Sequence, residues 1–219
     1  MRYVGAFLVV LVSTLAQAAE SAKSYPVVDA YVVRGAEQLN SPHVVTYRVA
    51  EWMEQRGRWI LPDLGYYDTG YGADQLWFAG GGAYVVRHRH IDWYQEAFFS
   101  QEAGRLSHNK RSVWIWPVVD LRFPPRLFGE VAIFPTIPLN KAQRWGLDID
   151  RAKLERQLSS KWSAGIGYSG GICTERSWQS KPFVTVTRRT PVGSFEVWIQ
   201  SIPGGSQAQL RYTLVRSKR

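Results

Sequence analysis

The residues able to do chemistry in this chain recur as alternating charges instead of compact motifs. Arg151, Lys153 and Glu155 follow one another at every second position, as do Asp120 and Arg122. In a strand that spacing sends side chains to one face, so such sets would build a salt-bridged wall or line a hydrated path. Asp92 and Glu96 share a parity too, a spacing that fits a general acid/base pair as well as two members of an ionic network. His88 and His90 in "RHRH" form an H-x-H pair without a nearby third ligand, which reads more simply as a basic turn than as a metal site.

Ser107 beside His108 in "RLSHNK" sets a nucleophile next to a base. Adjacent residues of an extended segment point in different directions, however, and the base must lie within about 3 Å of the nucleophile. Cys173, the single cysteine, sits among Gly170, Gly171 and Ile172 with no histidine close in sequence, so neither thiol catalysis nor an intramolecular disulfide is expected. "FAGGGAYVV" has three consecutive glycines, but no lysine-serine pair follows and no helix opens there, as a phosphate cradle would need. Such glycines relieve curvature or let a large interior side chain lie against a wall. No cofactor or metal is expected.

The elements that would position these charges are strands. In "RSVWIWPVVDLRF", Val113, Ile115, Val119, Leu121 and Phe123 share one face, and Ser112, Trp114, Trp116, Asp120 and Arg122 the other. "SFEVWIQS" sets Phe195, Val197 and Ile199 against Glu196, Trp198 and Gln200, and "QAQLRYTLV" sets Leu210 and Leu214 against Gln209 and Arg211. "RAKLERQLSSKWSAGIGYSGG" reads as a hairpin about "SSKW", because its glycines break any helical stripe. The reading gives ten strands, at 58–68, 74–88, 90–102, 111–123, 127–139, 149–158, 162–173, 181–189, 194–201 and 207–215. Their connections alternate, with "RHRH", "PPR", "SSKW" and "RTPVG" short and "EAGRLSHNK", "NKAQRWGLD" and "TERSWQS" longer. Pro62, Pro117, Pro135, Pro138 and Pro182 fall inside strands and each removes a ladder donor, so a bulge or local opening is expected near the strand from Leu127.

Upstream the pattern differs. Residues 1–18 carry one arginine, an apolar run and Ala16-Gln17-Ala18, the pattern of a cleaved secretory signal. Residues 19–57 read as a periplasmic segment, partly helical: Ser41 as N-cap, Pro42 at the first turn, Val45, Val49, Trp52 and Met53 on one side, and Gly57 as stop. Ten tryptophans, eleven tyrosines and nineteen glycines add a heavy aromatic and glycine load. The net charge of +9 is dispersed, and an exported chain does not meet cytoplasmic nucleic acid, so its partners would be lipopolysaccharide phosphates or another anionic envelope polymer.

On the signal, the dyad alternation, the glycine and aromatic content and the loop asymmetry, residues 58–216 resemble the bacterial outer-membrane β-barrel class. The resemblance implies an all-β, antiparallel up-and-down transmembrane barrel of about ten strands in the cell outer membrane. It would contact lipid and lipopolysaccharide and would be folded by the barrel assembly machinery. Parity then assigns Asp63, Asp92, Glu96, Asp120, Arg122, Glu130, Arg151, Lys153, Glu155, Glu196, Gln200 and Arg211 to an interior polar network. Trp59, Trp77, Trp93, Trp162 and Trp178 fall near strand ends as interfacial girdles, with Trp114 and Trp116 filling the interior. The function expected is an envelope structural or accessory component, or a narrow channel for small solutes, and no active site is assigned. Two alternatives stand beside it: a soluble periplasmic barrel that binds a lipidic ligand with its faces inverted, and an outer-membrane lipid hydrolase using Ser107 and His108.

Overall fold

The computed structural model describes residues 23–34, 45–68, 74–104, 109–174, 176–202, 205–214 and 216–217. The described strands are β1 (Lys23–Arg34), β2 (Val45–Arg56), β3 (Trp59–Asp68), β4 (Asp74–His88), β5 (Ile91–Gly104) and β6 (Lys110–Phe123). They continue with β7 (Leu127–Pro138), β8 (Gly146–Gln157), β9 (Trp162–Cys173), β10 (Arg176–Thr190), β11 (Gly193–Ile202) and β12 (Gly205–Leu214). Each pairs antiparallel with its sequence neighbours, and the sheet closes because β12 pairs with β1, from Thr213 opposite Val27 to Ser206 opposite Arg34. A two-residue strand, β13 (Arg216–Ser217), extends that seam against Lys23 and Ser24.

The ten strands expected from alternation correspond to β3–β12, but the barrel wall has twelve. The difference lies upstream, where β1 and β2 join the sheet and the expected helix is absent among the described residues. Val45, Thr46 and Val49 are β-branched and suit a strand. The other cause is not local: β1 and β2 stand between β3 and β12, with β1 paired to β12 and β2 to β3, and so complete the closed ladder that a sheet in lipid needs. Ser41 and Pro42 of the expected cap, and the signal-like residues 1–18, lie outside the described residues.

Turns at one barrel end are short, at 57–58, 89–90, 124–126, 158–161 and 191–192. At the opposite end the strands are separated in sequence by 35–44, 69–73, 105–109 and 139–145, and by the shorter 174–175 and 203–204. "TERSWQS" is not a long loop as expected, because β10 begins at Arg176 and accommodates the segment with a bulge between Arg176 and Gln179. The strand prolines act where they remove donors. The β6–β7 register runs to Trp114 opposite Thr136 and resumes at Val118 opposite Ala132, and the unpaired interval holds Pro117 and Pro135. Pro62 sits in the irregularity between Ile60 and Asp63.

Exposure alternates along the strands. Val184, Val186, Val197, Ile199, Leu210 and Ile166 project outward, with Ile166 67% exposed, while Phe183, Thr185, Glu196, Trp198 and Gln200 are buried inside. Apolar groups outside and ionic groups inside are the arrangement of a barrel solvated by lipid; the inverted, soluble alternative requires the reverse. Tryptophans mark both ends of the outer surface, Trp59, Trp93 and Trp162 toward the short turns and Trp77, Trp145 and Trp178 toward the longer connections, all exposed.

The strand from Trp162 keeps its inner face almost bare, with Ser163, Gly165, Gly167 and Ser169 at successive inward positions. The space over Gly167 is taken by the Phe183 ring, which a Cβ there would strike. That ring is held in turn by a parallel stack on Trp198, with centroids 4.3 Å apart. Gly167→Val forces this stack apart, and overpacking of this kind costs about 1–3 kcal/mol. A lower urea midpoint in lipid vesicles, with no change in a Gly129→Ala control whose added Cβ meets nothing nearer than 3.5 Å, is the expected result.

Candidate functional site: the barrel lumen

The lumen is built from the inward positions of all the strands, and its strongest feature is an ionic network on the wall from β7 to β11. Lys153 Nζ donates to Glu196 Oε1 at 2.6 Å and lies 3.2 Å from Glu130 Oε2 and 3.9 Å from Glu155 Oε1. Arg151 donates to Glu130 through Nε and to Asp150 through Nη1. Glu196 also accepts from the Trp198 indole and, at 3.2 Å, from the Thr185 hydroxyl. Glu155 accepts from Thr187 at 2.9 Å. The reach from β8 to β11 passes over Gly165, which puts no side chain in the way.

Arg122 pairs with Asp92 near the short-turn rim. Gln200 donates to Ser169 Oγ at 2.6 Å. Asp120 stands in register between Asp92 on β5 and Glu130 on β7. Arg211 lies at mid-height with its guanidinium carbon 5.9 Å from the Trp198 ring centroid. Asp63 and Glu96 differ from the rest of the residues assigned by parity. They are 0% and 1% exposed, packed beside the side-chain-free positions Gly80 and Gly82, with their carboxyls set against each other and near Glu51. They belong to the wall, closed off from the lumen, and join no ion pair among the described residues.

Two cavities occupy the interior. One, of about 360 Å³, lies toward the longer connections and is lined by Tyr67, Leu76, Phe78, Phe98, Trp114, Trp116 and Phe134 together with Glu51, Asp148, Asp150 and Arg211. The other, of about 230 Å³, lies toward the short turns and includes Tyr84, Tyr94, Asp120 and Arg151. Glu51, Trp116 and Arg211 border both and form the waist between them.

Several lumen residues escape a reading by parity. Asp150 sits in a bulge, where Arg151 faces Ala132 but Ile149 faces Ile133. The extra residue shifts the phase, so Asp148 and Asp150 line the lumen along with Arg151 instead of facing lipid. Glu51 falls in the stretch that reads as helix. Phe98 and Phe134 have the inward parity of Glu96 and Glu130, but apolar side chains read as lipid-facing. Among the described residues no group of three or more histidine, cysteine, aspartate or glutamate side chains could hold a metal ion. His88, at the end of β4, and His90 in the turn after it lie with their rings tilted, 5.7 Å between centroids. Ser107 and His108 lie outside the described residues.

No family model matches the sequence, and no curated protein does. Solved structures do. The COG4313 outer membrane channel from Pseudomonas putida F1 superposes with a TM-score of 0.61 at 9% identity, covering 90% of this chain and 96% of that one. The KdgM porin gives 0.57 at 9% identity, over 87% and 98% of the two chains. Omp33, an outer membrane protein of Acinetobacter baumannii, gives 0.53 at 9% identity, over 89% and 98%. At these identities the likeness is one of fold: the chain has the closed barrel of the bacterial outer-membrane class.

Removing Lys153 leaves Glu130 and Glu196 facing each other without their shared cation. Breaking a buried pair by deleting one partner costs about 3–5 kcal/mol, so Lys153→Met is expected to lower unfolding stability by that order. Adding Glu196→Gln to Lys153→Met should restore part of the loss in the same urea titration. Strictly additive losses would show that the two residues are not coupled.

Proposed function

We propose that the protein resides in the bacterial outer membrane and forms a narrow channel that favours small cations. The observation that carries this reading is the charge lining the two cavities. Carboxylates at Glu51, Asp120, Asp148 and Asp150 border them, against guanidinium groups at Arg151 and Arg211. Arg151 and Asp150 pair with each other and Arg151 also with Glu130, so the balance on the lining is Glu51, Asp120 and Asp148 against Arg211. In a lumen walled by low-dielectric protein and lipid, an excess of one sign concentrates counter-ions and repels co-ions.

The positive charge of the chain lies elsewhere. Arg58, Arg87, Arg89, Arg126, Lys161 and Arg188 are exposed at or near the short-turn rim, where they would meet lipid headgroup phosphates. At the other end Arg111, Lys141 and Arg144 are exposed and suited to lipopolysaccharide phosphates. The outer surface supports membrane residence through its apolar belt and its two tryptophan girdles. The structural neighbours support it through their shared barrel.

The protein should fractionate with outer membranes and change mobility in detergent gels on heating. In planar bilayers under a potassium chloride gradient, the reversal potential is expected to lie on the potassium side of zero and to move toward zero in Glu51→Gln. Recovery from the soluble periplasm would overturn the membrane reading. Absence of conductance, or a reversal potential on the chloride side, would overturn the channel.

A further inference from the structure

The cavity toward the longer connections has a lining that transport of inorganic ions does not require. Its rings form one continuous cluster. Phe78 meets Phe98 edge-on at 5.5 Å and Trp114 at 5.6 Å, Trp114 meets Phe134 at 4.9 Å, and Phe134 meets Trp116 at 6.5 Å. A hydrated ion passes no more easily over such a surface than over threonine and serine. The cavity holds about 360 Å³, within the usual range for small-ligand sites, and like them it combines an aromatic lining with few polar groups.

The polar groups set the sign of the ligand. Asp148, Asp150 and Glu51 border the rings, and Asp148 is exposed within the lumen, its carboxylate lying over Gly171. Arg211 is the one cation on this lining among the described residues, and it stands at the waist, leaning toward Trp198. Ring faces carry negative quadrupole potential, so rings and carboxylates together attract a cation whose body is apolar. The cluster already accepts one such group from below, since the Arg151 guanidinium carbon lies 5.5 Å from the Trp116 ring centroid.

We propose that this cavity is a binding site for small organic cations, substituted ammonium compounds with an alkyl or aryl body, held between the Trp114–Phe134 rings and the Asp148 carboxylate. The proposal rests on the channel reading only for its biological use; binding itself does not need conduction. A quaternary ammonium group loses little hydration on entry and gains ring faces on several sides, whereas potassium would be stripped of water for weak partners. An anionic or neutral molecule of the same shape gains the rings but not the carboxylates.

The test is equilibrium binding to the folded full chain in detergent micelles, followed by calorimetry and tryptophan fluorescence with phenyltrimethylammonium as probe. Benzyl alcohol serves as the neutral comparison and benzenesulfonate as the anionic one. Saturable binding of the cation is expected, at least about tenfold tighter than either comparison, a difference of about 1.4 kcal/mol. Asp148→Asn, nearly isosteric, should weaken the cation about tenfold and leave benzyl alcohol unchanged, and Trp114→Leu should weaken both. Heat-modifiable mobility checks that each variant folds, and Asp148→Asn carries the test if Trp114→Leu does not fold. Equal binding of benzyl alcohol and the cation, indifference to Asp148→Asn, or no saturable binding overturns the proposal. Binding in a protein that conducts no current leaves the site standing and removes only the channel; a cation-selective current without binding does the opposite.

Discussion

The interaction on which the rest of this barrel depends is the bridging of Lys153 between Glu130 and Glu196, from strand β8 to β7 on one side and across two strands to β11 on the other. Each of these groups is at most about one-sixth exposed, so none can recover by turning to water. Buried pairs of this kind roughly break even against apolar packing, and their consequence here is register. A slip of one residue in β8 would send Arg151, Lys153 and Glu155 into lipid together. The bare inner face of β9 follows from the same need, since a side chain at Gly165 or Gly167 would occupy the ground that Glu155 and Phe183 now cover.

Beside this wall, between β6 and β7, the barrel solves a different problem. Pro117 and Pro135 interrupt the β6–β7 ladder, leaving an interval without pairing in the midst of the wall. Trp116 and Phe134 lie inside that interval and Trp114 at its edge, and both tryptophan rings pack on Phe134. Dispersion and ring contacts thus hold together strands that backbone hydrogen bonds do not. The lumen therefore carries an ionic wall from β7 to β11 and, next to it, an aromatic one where the β6–β7 ladder is broken, with β7 giving Glu130 to the first and Phe134 to the second. The cavities border both, and the waist takes Trp116 from the aromatic wall and Arg211 from β12 beside the ionic one.

What was legible in the sequence follows from this division. Strands β3–β12 each carry a sustained two-residue period, and the ionic residues read from it occupy inward positions. β2 was opaque because Val45, Val49, Trp52 and Met53 satisfy a helical stripe, while its place in the sheet is set by β1 and β3 on either side, and β1 in turn by β12, a partner far away in sequence. The Asp150 bulge was opaque for another reason: one extra residue inverts the phase of Asp148, and nothing in "LDIDRAK" announces it. Asp63 and Glu96 show the converse limit. Parity places them inward, but only the neighbouring glycines Gly80 and Gly82 let the wall close around them, so inward position did not mean access to the lumen.

The same distinction governs the charge. A net +9 on the whole chain suggests a protein that seeks anions, and at its rims it presents the arginines to do so. The lumen has a separate balance, because cations at the rims are screened by water and salt over roughly 8 Å, while carboxylates at mid-height face one another through protein. Glu51 and Asp120 border the lower cavity with Arg151, whose charge is already matched by Glu130 and Asp150. Screening is weakest at the waist, where Glu51 and Arg211 border both cavities. Composition therefore speaks for the surface of this barrel, and the sign of the potential within it is set by the few groups that the bulge and the strand parity turn inward.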